Sequence, residues 1–175
     1  MMNKFPDFKK PSHLIATFFG IGLLPYAPGT WGSIAALLIF YCLIYIQISF
    51  FLLFLMFLCF FVFSIIICEM ASKELLEKDH KAIVIDEFSG LWLSFLFIPL
   101  LGIYDFSISD WQKESYFAAF ILFILFRFFD ILKPYPISFF DKKFKSGFGI
   151  VLDDLIAGIF AALTLLGGNF FIKFF

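Results

Sequence analysis

The sequence has little charge. Only 15% of its 175 residues are Asp, Glu, Lys or Arg, where a soluble domain carries roughly a quarter. Basic residues show no excess, with 13 Lys and Arg against 14 Asp and Glu. That balance excludes the basic stripe a nucleic-acid binder needs, so no nucleic-acid partner is expected. Cysteine is scarce: Cys42, Cys59 and Cys68 sit within apolar sequence, without the spacing of a zinc site or a disulfide framework. They read as small buried hydrophobes. The opening residues, MMNKFPDFKKPS, are polar and precede no short apolar core with a small-residue cleavage site, so no removable signal peptide is expected.

Several phosphatase chemistries are missing as well. None of the three cysteines is followed six residues later by Arg, and a thiolate within an apolar helix would lack stabilisation. The sequence contains no DxDx[TV] aspartyl-phosphate motif and no KxxxxxxRP signature of acid lipid phosphatases. It also lacks the DGxxARxxxxxxxxGxxxD pattern of transferases that use CDP-linked lipids.

What is abundant is apolar. Hydrophobic residues make up 62% of the chain and 31 residues are Phe, with a mean hydropathy of +1.00. This much apolar surface requires a bilayer. At roughly 20 residues per span, the pattern predicts an all-α polytopic bundle of four or five transmembrane helices forming one unit over residues 1–175, with 1–12 as a polar tail. Five stretches qualify: Ser33–Ile46, Phe50–Cys68, Phe88–Tyr104, Ser115–Leu132 and Leu155–Ile172. Four spans preceded by a re-entrant N-terminal segment is the alternative. With five spans, the segments on the N-terminal side hold Lys4, Lys9, Lys10, Lys73, Lys78, Lys81, Lys133, Lys142, Lys143 and Lys145. The other side holds Lys113 and Lys173. The lysine bias places the first side in the cytoplasm.

That sorting gathers the acids. Asp86, Glu87, Asp153 and Asp154 fall at cytoplasmic helix boundaries, and Asp130 lies near the end of the fourth span. Charge at membrane depth is expensive and marks functional sites. Arg127, Asp130 and Lys133, spaced i, i+3, i+6, share one side of a helix. Arg127 and Asp130 could pair merely to be tolerated, with Lys133 snorkelling. The two further acidic pairs exceed what such a structural pair requires. Five carboxylates would repel one another, and a hard divalent cation such as Mg²⁺, which takes carboxylate, water and phosphate oxygens, relieves that repulsion. The predicted chemistry is metal-assisted attack of water on a phosphate. Upstream, GIGLLPYAPGTWGS reads either as a loop of turn residues or as a phosphate cradle in which Gly32 and Ser33 open a helix toward an anion. Pro28, Gly29, Thr30, Gly32 and Ser33 are therefore substrate-binding candidates. His13 and His80, both on the cytoplasmic side, are candidates for the proton donor.

Four blocks then fall into a known order. ATFFGIGLLPYAPGTWGS, DHKAIVIDEFSGLW, FRFFDILKPYPISFFD and GFGIVLDDLIAG resemble phosphatidylglycerophosphatase A over about His13 to Ala162. The resemblance implies a Mg²⁺-dependent phosphatase of the bacterial inner membrane, its active site facing the cytoplasm, that converts phosphatidylglycerophosphate to phosphatidylglycerol. It assigns Asp86, Glu87, Asp130, Asp153 and Asp154 as metal ligands or general base without dividing those roles. Arg127 and Lys133 become phosphate clamps. A phosphatase for another lipid headgroup, or a small transporter coupled through Arg127 and Asp130, are the rival readings. The sequence carries no signal of oligomeric state.

Overall fold

The structure, a computed structural model, describes residues 5–73, 75, 80–105, 110–144 and 146–174. Lys4, Lys78 and Lys145 of the lysine count, and Asp79 of the second block, lie outside the described residues. The fold is helical, as expected. Short α1 (Pro11–Ala16) leads through a 3₁₀ turn to α2 (Pro28–Tyr45) and α3 (Phe50–Ser72). Then follow α4 (Ile85–Phe95), α5 (Glu114–Leu132), α6 (Ile137–Lys143) and α7 (Gly147–Phe174). The strands β1 (Tyr104–Asp105) and β2 (Asp110–Trp111) form a two-residue antiparallel ladder.

Four of these helices are long and apolar enough to cross a bilayer: α2, α3, α5 and α7. The expected fifth span is broken. Helix α4 has 11 residues, about 16 Å at 1.5 Å per residue, against a hydrocarbon core of about 30 Å. Pro99 and left-handed Gly102 shape the 3₁₀ turn Ile98–Leu101 that follows. The segment nonetheless arrives at the far end of the bundle. Tyr104 Oη accepts the Phe50 amide at 2.9 Å, and Trp111 Nε1 donates to the Ile48 carbonyl at 2.7 Å. The chain therefore passes between the two ends of the bundle five times, four times by continuous helix and once by a short helix plus a turn.

The tight turn expected at residues 47–49 is present and does more than reverse the chain. Gln47 takes a positive φ of 54°, and Ser49 caps α3 by accepting the Leu52 amide. The Gln47 amide group pairs with both backbone groups of Trp111. Ser64, read as an interruption in an apolar run, is buried and accepts a hydrogen bond from Ser89 of α4 at 2.9 Å.

Three helix starts differ from the hydropathy boundaries. Helix α2 begins at Pro28 rather than Ser33, because proline fits the first helical turn. Helix α4 begins three residues before Phe88, at Ile85. Helix α7 begins at Gly147, eight residues before Leu155, so Asp153 and Asp154 lie inside a helix rather than at its edge. Apolar content marks where lipid lies. A helix runs on past that limit wherever neighbouring helices shelter it.

Candidate active site

At one end of the bundle the start of α2, the start of α4, the end of α5 and the first turns of α7 enclose a pocket of about 310 Å³. Its lining comprises Ala27, Pro28 and Gly29, then Lys81 and Ile83 from the loop before α4, then Asp86 and Glu87. Arg127, Asp130 and Lys133 of α5 and Ile150, Asp153 and Asp154 of α7 complete it. All five predicted carboxylates and both predicted clamps therefore converge.

The ion pairs order this crowd. Arg127 Nη1 sits 2.7 Å from Asp130 Oδ2 and 3.2 Å from Glu87 Oε1, and donates to Ser33 Oγ at 3.4 Å. One guanidinium thus ties α5 to α4 and α2. Lys133 Nζ lies 2.6 Å from Asp153 Oδ2, joining α5 to α7. Lys133 reaches it from a left-handed C-cap with φ 41°, a turn imposed where Pro134 ends the helix. Asp86 Oδ1 accepts the Glu87 amide at 3.0 Å. Asp86, Asp153 and Asp154 are each no more than 5% exposed, and Asp154 feels the charges of Asp130, Asp153, Asp86 and Glu87.

Close helix packing makes this possible. Helices α4 and α7 cross where Gly90 meets Gly158, and a methyl group on either would drive into the backbone of the other helix. Asp86 stands four residues before Gly90, and Asp154 four before Gly158. Each acid therefore lies one turn from the contact, on the same face. These glycines escaped the sequence reading, although the repeated acid-x3-glycine spacing was visible. Lys81 and Ile83 were also missed, because the loop that carries them shows no pattern of its own.

The upstream glycines act differently from expectation. Helix α2 opens at Pro28, so Gly32 and Ser33 belong to its second turn, and the amides in the unbonded first turn are those of Gly29 and Thr30. Pro28 and Gly29 line the pocket. Gly32 packs against Val84 and Glu87, Ser33 receives the Arg127 hydrogen bond, and Thr30 is half-buried outside the lining. A Cβ at Gly29 would occupy the space of the Glu87 carboxylate. His13 and His80 are not brought to the pocket. Their rings pack on Phe5, with centroids 4.7 and 4.8 Å away. Each Nδ1 accepts a backbone amide, from Asp7 and from Ala82 respectively.

The donor set suits a hard cation, since every acidic group in the lining offers oxygen. Among the described residues, no three His, Cys, Asp or Glu side chains are already arranged around a metal-sized gap. Mg²⁺ does not require such a cage. It is held by one or two carboxylates plus waters and substrate phosphate.

Fold and site together define a polytopic helical membrane enzyme whose charged pocket is built from helix ends. The family model for phosphatidylglycerophosphatase A matches residues 14–169. The chain belongs to that family. It is 40% identical over 156 residues to phosphatidylglycerophosphatase A of Haemophilus influenzae, covering 89% of this chain and 86% of the relative. It is 37% identical over 152 residues to phosphatidylglycerophosphatase A of Escherichia coli, covering 87% and 80%. A Bacteroides thetaiotaomicron protein, provisionally named a phosphatidylinositol-3-phosphatase, is 32% identical over 162 residues, covering 90% and 94%. No solved structure matches.

Proposed function

We propose that the pocket hydrolyses the terminal phosphate monoester of phosphatidylglycerophosphate to give phosphatidylglycerol and inorganic phosphate, with Mg²⁺ bound. The observation that carries this reading is the convergence of Asp86, Glu87, Asp130, Asp153 and Asp154 with Arg127, Lys133 and Lys81 in one pocket at the helix ends. That end is where a lipid headgroup lies. Counted formally, five acids in the lining face three cations. A phosphate monoester adds further negative charge, so binding it calls for more positive charge than the side chains supply. Asp86, Glu87, Asp130, Asp153 and Asp154 would hold a divalent cation, which would supply that charge and polarise the phosphoryl group or its attacking water.

The chain's own residues divide the remaining work. One of the carboxylates accepts the proton of the attacking water as its oxygen bonds to phosphorus. As the bond to the glycerol oxygen breaks, that oxygen takes the proton the carboxylate accepted from water, and Arg127 and Lys133 offset the charge developing on the phosphoryl oxygens. The amides of Gly29 and Thr30 present the positive end of α2 to the same group. His13 and His80, packed away on Phe5, serve the loops around the pocket.

A transporter coupled through charge would need buried ionisable groups along a path through the bundle. Among the described residues the buried acids are Asp86, Asp153 and Asp154, all at the pocket end. The relative from Bacteroides favours one second reading, a lipid phosphate monoester on another polyol headgroup. Phosphate release by the purified protein from phosphatidylglycerophosphate, phosphatidylinositol-3-phosphate and phosphatidic acid separates the two. Fastest turnover of the first supports the proposal, and preference for the second replaces it.

In this reading the pocket faces the cytoplasm from a bacterial inner membrane, and the lysine bias supports the cytoplasmic side. Lys73 and Lys133, at the C-caps of α3 and α5, lie at the pocket's end of the bundle, which supports that orientation.

A further inference from the structure

Exposed apolar residues border the pocket's lining in the chain. At the start of α2, Ala27, Pro28 and Gly29 of the lining are flanked in sequence by exposed Tyr26 and Trp31; at the end of α5, Asp130 and Lys133 are interleaved with exposed Ile131, Leu132 and Tyr135. Tyr26 is the extreme case. Its side chain is fully exposed, and its backbone holds a left-handed φ of 76°, a conformation that costs free energy for a non-glycine residue. Little packing within the protein compensates for it. The Trp31 indole is held by a hydrogen bond from Nε1 to the Pro25 carbonyl at 3.4 Å. Both stretches continue the apolar faces of spanning helices, through Leu38 on α2 and Phe128 on α5. Tyr and Trp are the side chains favoured where a bilayer meets water.

We infer that these two stretches form the rim of a lateral doorway. A diacyl lipid in the surrounding leaflet slides its phosphorylated headgroup into the pocket between the start of α2 and the end of α5, while its acyl chains stay in the bilayer against the rim. The ion pairs from Arg127 and Lys133 lie behind the opening, so the headgroup meets charge only after it has passed the apolar lips. The inference rests on the lipid-phosphatase reading for what passes through. The embedding of the rim in lipid is separately measurable.

Two measurements test it. Trp31 is the exposed indole among three, since Trp92 and Trp111 are 6% and 3% exposed. In phosphatidylcholine vesicles brominated near the top of the acyl chains, tryptophan emission should be quenched, and Trp31→Phe should remove most of that quenching. Equal quenching in the unmodified protein and in Trp31→Phe overturns the embedded rim, whatever the activity. The second measurement uses Tyr26→Asn, which tolerates positive φ, combined with Ile131→Gln; neither changes charge. KM for long-chain phosphatidylglycerophosphate in vesicles should rise about tenfold or more, with KM and kcat unchanged for the same headgroup on water-soluble butanoyl chains. Equal losses on both substrates, or no loss on the vesicle substrate, overturn the doorway. If the unmodified protein hydrolyses neither substrate, the phosphatase reading itself fails, and the quenching result still reports on the rim.

Discussion

Arg127 illustrates how much one residue's setting depends on its neighbours. Its spacing from Asp130 and Lys133 is visible in the sequence, and it suggests a pair with Asp130 on the same helix. The structure turns it inward, where it meets Asp130 and Glu87 together. The cause lies on other helices: Gly29 leaves space for the Glu87 carboxylate, and Ser33 offers an acceptor. Spacing along one helix cannot reveal a partner on another. Gly29→Ala should therefore displace Glu87 and lower kcat on the order of a hundredfold, with the protein still inserted and folded; kcat and thermal melting measured together check this. Asp130→Asn leaves Arg127 its bond to Glu87, so the fold should persist while turnover falls about a hundredfold or more. Combining it with Arg127→Met should lower activity further, measured as phosphate release per folded molecule. Restored activity in the double variant would reduce Asp130 to a structural partner. Arg127→Met alone removes the cation between two carboxylates and should destabilise the protein by roughly 3–5 kcal/mol, seen as a lower unfolding midpoint.

Among the helices, the α4–α7 crossing decides the site. Gly90 and Gly158 let the backbones touch, and that contact brings Asp86 and Asp154 into one pocket. Either glycine changed to Ala forces the helices apart. The expected cost is about 1–3 kcal/mol, with a loss of activity larger than the loss of stability explains, because the carboxylates separate. Activity and unfolding midpoint for Gly90→Ala, Gly158→Ala and the pair test this, and the pair should cost less than the sum, since both disturb one contact. Helix identity was legible in the sequence, as were the starts of α3 and α5, whereas those of α2, α4 and α7 were not. The run GFGIV looks like loop because glycine is a poor helix former, yet Gly147 and Gly149 pack directly against Glu69 and Phe144 and carry α7 outward. The largely apolar stretch of 17 residues from Phe88 to Tyr104 resembles a span, and Pro99 with Gly102 breaks it after α4.

For the molecule as a whole, hydropathy foresaw four or five spans; four helices are long and apolar enough to cross a bilayer, and the hydrogen bonds from Tyr104 and Trp111 to the 47–50 turn show that the broken segment after α4 also reaches the far end. A reporter placed after Lys145 should then behave as cytoplasmic and one near Asp110 as external; the reverse result would invert the pocket. The far end is held by Gln47, Tyr104 and Trp111, while the pocket end is held by charge. That division makes the pocket end the one sensitive to a bound cation. The most direct test is phosphate release from phosphatidylglycerophosphate by purified protein after complete chelation, followed by Mg²⁺ add-back. The account predicts that chelation abolishes turnover and that Mg²⁺ restores it in the unmodified protein, with Asp154→Asn recovering little. Full activity in the chelated enzyme would contradict it.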